Sequence, residues 1–364
     1  MAGFEGIKWA AAQMRYCLQD KSFELHDIDS HVPAVTRSIH YGLFLVFEGI
    51  RFFCKRNQDG ALEIIFLNWD FNLERFQRGI AFNLSQKQQH LVPSVVELKD
   101  LFIEKYLKDP SMQSFLEEMA DLGAQGYLRP FTVDEERSIG VTFPQRPCIR
   151  AVACRYDQYL GEPFNGVVTP QIVRAVGING TGCLKLGVNY LMSVKAVDKA
   201  KQLMPDAASA LLLDDRPDLP ITERCISEWD SSCCLFALRD GTVVKIPENP
   251  LILPSVTIQG IVAILAEFGV TVLEQHMKYG DLIRLVNKKQ LVAVCSVGTA
   301  GILNRCHALK LVDEDDQEIE THHPDESHEL YQKLNEAKRY YWQIYSEQVK
   351  VPAGMRLEKF EITW

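Results

Sequence analysis

The stretch that most constrains this chain is a lysine set among glycines. Residues 174–190 read R-A-V-G-I-N-G-T-G-C-L-K-L-G-V-N-Y, with Lys185 between Gly182 and Gly187 and a leucine on each side. Glycines let the backbone pass close to another group. Apolar neighbours keep water from the amine, and a desolvated lysine is a better nucleophile at neutral pH than a free one. The competing reading is an ordinary solvated lysine in a glycine-rich turn. Such a segment needs a rigid support, and Met192, Val194, Ala196, Val197, Ala200 and Leu203 follow at helical spacing, which predicts a helix over 191–204.

The chain has 364 residues, 47% hydrophobic and 24% charged, enough for two domains with a large core. Its net charge of -9 argues against nucleic acid or an anionic membrane as partner, since both select basic surfaces, and favours a small-molecule ligand. No run of 18 apolar residues occurs, and the first residues lack the basic flank and apolar centre of a signal peptide, so a cytoplasmic protein is expected. The ten cysteines show no C-x-x-C spacing and read as reduced, mostly buried thiols. His322-His323 beside the acidic stretch 313–320 reads as a solvated loop, and no metal is expected.

Along the chain, the apolar run 38–53 is broken by Gly42 and Gly49 and reads as a turn followed by a buried strand. A strand over 62–67 precedes a helix capped by Asn68 or Asp70 and running through Arg75. Residues 92–123 are helical in spacing, split at Asp109-Pro110. Residues 126–130 and 148–156 read as strands, the first projecting Tyr127 and Arg129 to one face. Gly161–Pro170 reads as a linker. Further strands are expected over 208–213, 233–238, 242–246 and 290–297, with Arg239-Asp240-Gly241 as a hairpin turn, and a long helix from Asp325 to about Val349. The expected division is a small N-terminal α/β domain over 1–160, a linker over 161–172, and a large C-terminal domain over 173–364 that carries Lys185.

The segment around Lys185 resembles the V-R-A-x-G-G-T-G-x-x-K-x-G-G-N-Y pattern of the class IV pyridoxal-phosphate aminotransferases, in particular the branched-chain amino acid aminotransferases. Val173–Ala175, Gly180–Gly182 and Lys185–Tyr190 match, with one residue more between them. The resemblance implies an α+β protein of fold type IV, D-amino acid aminotransferase-like, with two α/β domains and pyridoxal 5'-phosphate between them. It implies a homodimer that transfers the amino group of an apolar, branched-chain-like L-amino acid to 2-oxoglutarate by a ping-pong mechanism. Lys185 becomes the residue that holds the cofactor covalently, and Tyr190 of the same motif a cofactor neighbour. The same fold also hosts aminodeoxychorismate lyase, and a diverged non-catalytic homologue is the other alternative.

Other matches lie in family order. In H-Y-G-L-F-L-V-F-E-G, Tyr41 falls where the family has a substrate-pocket tyrosine, although one extra residue separates it from F-E-G; a core aromatic is the alternative. In L-E-R-F, Arg75 falls on the arginine that binds the cofactor phosphate, a task suited to a planar, permanently charged fork. Arg78, one turn on, competes with it. Tyr127 and Arg129 of Y-L-R-P fall on substrate residues, the arginine serving a second carboxylate; the alternative is a pair with Asp134, Glu135 or Glu136. S-I-G-V, residues 138–141, fits the segment that follows.

In I-S-E-W-D-S-S-C-C-L-F, Glu228 is the match for the carboxylate that keeps the pyridine nitrogen protonated, so that the ring can take up electrons. Counting back from Leu235-Phe236 instead puts Trp229 at that place, and Asp230 is the fallback. Val256 and Thr257 of L-P-S-V-T fall at the helix start that holds the phosphate, with Thr257 also a candidate cap. Ser255 and Ile258 replace a glycine and an arginine of the family there. Thr299 and Ala300 of V-G-T-A fall where backbone amides receive cofactor phosphate and substrate carboxylate.

Overall fold

A computed structural model describes residues 3–160, 163–175 and 180–364. Positions 161 and 162 of the expected linker and 176–179 of the glycine-rich stretch lie outside the described residues. The chain divides into two compact units.

One unit comprises Phe4–Gln158, Leu184–Val188 and Arg356–Trp364. Its antiparallel sheet runs in the order Leu357–Ile362, Leu62–Leu67, Ile50–Arg56, Gln125–Asp134, Pro147–Tyr156, Ala12–Cys17 and Phe23–Asp27, with Lys8–Trp9 beside Pro147–Tyr156. The strand Leu62–Leu67 leads into the helix Trp69–Asn83, whose Leu73, Phe76 and Ile80 recur at helical spacing and are fully buried. Asn68 stands at its N-cap position but in the left-handed region, φ 57°, and makes no side-chain cap. Its Oδ1 instead accepts the Arg356 N–H at 2.7 Å, tying the C-terminal strand to the sheet edge. The helical stretch after residue 92 breaks at Asp109-Pro110, as its sequence predicts: the Asp109 carboxylate caps Ser111 and proline starts the next turn.

The other unit comprises Tyr159–Cys183 and Asn189–Met355. Its mixed sheet runs Ile226–Trp229, Ala207–Leu213, Phe164–Val168, Ile302–Val312, Leu291–Gly298, Cys233–Leu238, Thr242–Lys245 and Thr271–Glu274, with Glu318–His322 beside Ile302–Val312. Phe164–Val168 is parallel to both neighbours. The helix Tyr190–Leu203 packs Ala196 and Ala200 against Val167, Ala210 and Leu212; alanines there let the helix lie close to the sheet. The helix Val256–Glu267 buries Ile261, Ile264 and Leu265.

Three expectations change. The stretch expected as a linker carries the strand Phe164–Val168, paired on both edges inside the sheet. The long C-terminal helix is shorter, Glu329–Tyr345 with His328 as N-cap, because Asp325 is taken up by Ser327 and Arg239. The span 173–364 is interrupted, since Leu184–Val188 and Arg356–Trp364 cluster with the first unit. All ten cysteines are free thiols, eight of them buried. Among the described residues no helix is long and apolar enough to cross a membrane, and no cluster of three His, Cys, Asp or Glu is placed to hold a metal ion.

Candidate active site

Lys185 is mounted on a short ribbon. The Phe47 N–H donates to the Lys185 carbonyl and the Gly187 N–H to the Leu45 carbonyl, each at 3.0 Å, and Val46 and Leu186 form the antiparallel bridge between them. On its other edge the same segment pairs with Gln125–Asp134, through Glu48 N–H to the Pro130 carbonyl and Thr132 N–H to the Val46 carbonyl, each 2.9 Å. These bonds place Lys185 in the unit built from the N-terminal half, which corrects its expected assignment to the C-terminal domain. The lysine is half-buried, and its ammonium lies 4.9 Å from the centroid of the Phe47 ring, within the range of a cation–π contact.

Arg75 projects from the helix Trp69–Asn83 onto Glu48, Nε to Oε1 at 2.6 Å and Nη2 to Oε2 at 2.8 Å. Both side chains are buried. Burial by itself would raise the Glu48 pKa, but the Arg75 guanidinium, with the Lys185 ammonium behind it and Asn72 donating to Oε2, holds the carboxyl below its ordinary value. Arg78 is exposed.

Arg129 has none of the carboxylate partners that its sequence neighbourhood offered. Asp134 pairs with Arg37, and Glu135 is clamped between Arg15 and Arg150. The Arg129 guanidinium lies instead over Phe47, 4.9 Å from the centroid, and over Tyr127, and donates to the Tyr127 hydroxyl at 2.9 Å. Phe47 thus collects Lys185 and Arg129. Tyr41 stands apart from them: it ends the helix Arg37–Tyr41, is 46% exposed, and donates its hydroxyl to the Ile139 carbonyl at 2.8 Å. That exposure is not that of a core aromatic.

In the other unit, Asn189 of the N-Y pair closes the glycine turn, giving Nδ2–H to the Thr181 carbonyl and taking the Thr181 hydroxyl on Oδ1, each at 2.7 Å. A Cβ on Gly182 would lie 2.6 Å from the Leu251 carbonyl oxygen, so only glycine lets the two backbones meet. Tyr190 opens the following helix and is half-buried.

The three residues weighed for the acid position, Glu228, Trp229 and Asp230, have different surroundings. Trp229 is fully buried, packs edge-on to Phe164 and over Gly166, and donates Nε1–H to the Cys295 carbonyl at 3.1 Å. Asp230 is held by the Ser209 hydroxyl and by the Ala210 N–H at 3.0 Å; burial raises its pKa despite those donors. Glu228, on the same strand as Trp229, is 4% exposed and paired with Arg174. Residues 230–232 connect the strands Ile226–Trp229 and Cys233–Leu238.

Val256 and Thr257 form the buried first turn of their helix. The cap, however, is Ser255 rather than Thr257: its hydroxyl accepts from the Ile258 N–H at 3.3 Å. Thr299 and Ala300 are half-buried in the turn joining Leu291–Gly298 to Ile302–Val312.

Three residues of this geometry carry no role in the sequence reading: Glu48, Phe47 and Arg174. Glu48 could have been suspected, because a carboxylate inside the apolar run 43–53 needs a cationic partner to be buried. Arg174 is anchored by the Gly182 carbonyl at 2.8 Å and the Leu251 carbonyl at 3.0 Å as well as by Glu228. Nothing local in the sequence signals that convergence.

No family model matches the chain. It is 26% identical over 309 residues to the probable branched-chain-amino-acid aminotransferase of Staphylococcus aureus (strain MRSA252), covering 83% of this chain and 78% of that protein. Among solved structures, the Escherichia coli branched-chain amino acid aminotransferase aligns with a TM-score of 0.66 at 18% identity over 97% of this chain and 98% of that one. The branched-chain aminotransferase of the thermophilic archaeon Thermoproteus uzoniensis, solved with norvaline, aligns with a TM-score of 0.65 at 18% identity over 93% and 96%. The fold is that of the fold type IV pyridoxal-phosphate enzymes. Its sequence relatives among curated proteins are likewise branched-chain aminotransferases.

Proposed function

We propose that this protein is a pyridoxal-phosphate-dependent aminotransferase that moves the amino group of an apolar, branched-chain-like L-amino acid to 2-oxoglutarate by a ping-pong mechanism. The observation that carries the reading is the mounting of Lys185: half-buried, fixed by backbone bonds on both sides, and lying over an aromatic ring.

The residues fit the cofactor. Lys185 would hold it covalently. Arg75 would meet its phosphate, as would the first amides of the helix Val256–Glu267; Ser255 occupies the Ile258 amide and leaves those of Val256 and Thr257 for the anion. Thr299 supplies a further amide and hydroxyl, and Tyr190 a phenol. Glu228, a buried carboxylate beside the Arg174 guanidinium, suits a protonated ring nitrogen. Bound there, the cofactor supplies the electron sink that loosens the substrate Cα proton.

The chain's own groups do the rest. The Lys185 amine would carry a proton to and from the substrate Cα. Arg129, half-buried and facing Phe47 and Tyr127, would receive the second carboxylate of a dicarboxylic acceptor, while Phe47 and Tyr127 present apolar surface to a hydrocarbon side chain. Tyr41 and Ala300 complete the substrate set. A homodimer is supported by the exposure of Ile139, Val141 and Phe143, at 68%, 70% and 52%, on one loop, and a cytoplasmic location goes with this reading.

Borohydride reduction of cofactor-loaded protein followed by peptide mapping should place the label on Lys185, and leucine, isoleucine or valine with 2-oxoglutarate should yield glutamate. Labelled protein that forms no glutamate from any of the three would defeat the transaminase reading, and pyruvate release without an acceptor acid would favour the lyase.

A further inference from the structure

We propose that Thr132 is a positioning residue for Lys185, acting through a hydroxyl that repairs a break in the ribbon on which the lysine is hung. The inference rests on the reading of Lys185 as the cofactor lysine. The backbone departs from regular strand geometry just before Phe47. Phe44 has φ 54°, in the left-handed region, although its side chain is bulky and 1% exposed.

In a regular antiparallel ladder Val46 and Thr132 would exchange both backbone bonds. Only one of the two is made, Thr132 N–H to the Val46 carbonyl at 2.9 Å. The Val46 N–H turns instead to the Thr132 hydroxyl, at 3.0 Å, and that hydroxyl donates on to the Phe44 carbonyl at 2.8 Å. One buried hydroxyl, 0% exposed, therefore satisfies both backbone groups that the left-handed residue pulls off the ladder. The next residue, Phe47, gives its N–H to the Lys185 carbonyl, and the one after, Glu48, meets Arg75.

Because side chains alternate along such a ribbon, a slip of one residue would turn Phe47 from Lys185 and Glu48 from Arg75. Thr132 selects the register in which both contacts exist. Valine has the shape of threonine but neither donor nor acceptor, so Thr132→Val leaves two buried backbone groups unsatisfied, whereas Thr132→Ser keeps the hydroxyl.

The test uses the full chain, first without cofactor, so that its outcome is independent of whether pyridoxal phosphate binds. Hydrogen exchange is followed over 44–48 and 184–188, and acylation of Lys185 by an N-hydroxysuccinimide acetate ester is followed by mass spectrometry. Thr132→Val should speed exchange in both segments and change Lys185 acylation by about fivefold to tenfold, the worth of one lost buried hydrogen bond; Thr132→Ser should restore both. In loaded protein kcat should fall with the donor KM little changed. Faster exchange confined to 44–48, with 184–188 and Lys185 acylation at wild-type values, would overturn the proposal. If Thr132→Val does not fold, the milder comparison of Thr132→Ser with Thr132→Ala isolates the same hydroxyl and is read by the same criteria.

Discussion

Arg75 and Glu48 meet as a two-bond pair, 2.6 and 2.8 Å, at a point where both side chains are enclosed. Two opposite charges there are tolerable only together, since removing one leaves the other buried without its counter-ion. Arg75→Gln is therefore expected to lower stability by about 3–5 kcal/mol, with Glu48→Gln also destabilising and the double variant less harmful than the sum. Urea midpoints of the four proteins measure this. Strict additivity would show that the two groups do not act as a unit.

Arg129 lies over two aromatic rings and takes none of Asp134, Glu135 or Glu136 as a partner. Arg129→Leu should raise KM for 2-oxoglutarate by about 10- to 100-fold, the worth of hydrogen bonds to a charged group, and leave KM for a monocarboxylic apolar oxo acid within about threefold. Steady-state kinetics with the two acceptors decides it. A parallel rise for both would mean a general loss of site geometry rather than recognition of the second carboxylate.

Arg174 joins Glu228 to the Gly182 and Leu251 carbonyls. Taking its guanidinium away leaves a buried carboxylate without its counter-ion, a loss of about 3–5 kcal/mol. Arg174→Leu should accordingly lower the urea midpoint, with Glu228→Gln recovering part of that loss in the double variant and lowering kcat by itself. An unchanged midpoint in Arg174→Leu would show that the arginine does not serve as the carboxylate's counter-ion.

His322, at the end of the strand Glu318–His322, is pushed down to about 4 by burial, with His323 adding to the effect. Between that value and the ordinary histidine range near 6.5 the unfolded chain takes a proton that the folded chain refuses, so stability falls as pH drops through this window. The loss is about 3 kcal/mol across it, and His322→Leu should remove that share. Urea midpoints at pH 7.5 and 5.0 for both proteins give the difference; equal acid losses would place the effect elsewhere.

Local physics was readable where one element suffices. Apolar spacing gave the helix Tyr190–Leu203, and Asp109-Pro110 gave the break between helices, because a helix stripe or a missing N–H acts within a few residues. The alternation that sends Tyr127 and Arg129 to one side was readable too, since Arg129 reaches the Tyr127 hydroxyl. The strand Ile302–Val312 was missed: its apolar residues do not alternate strictly, and one of its partners, Phe164–Val168, is distant in sequence.

What the sequence by itself determined is the chemistry on offer: a lysine among glycines, an arginine on an amphipathic helix, a carboxylate in the segment Ile226–Trp229, and a helix start after a proline. Only the tertiary structure decided which groups hold one another. The Trp229 ring fills the space over Gly166, Asp230 is bound to Ser209 and Ala210, and Glu228 pairs with Arg174. Lys185 belongs to the N-terminal unit because its carbonyl accepts from Phe47, more than a hundred residues earlier in the chain. Such pairings depend on backbone register and on the cost of burying a charge or an unmet N–H, and these arise only when distant segments are packed side by side.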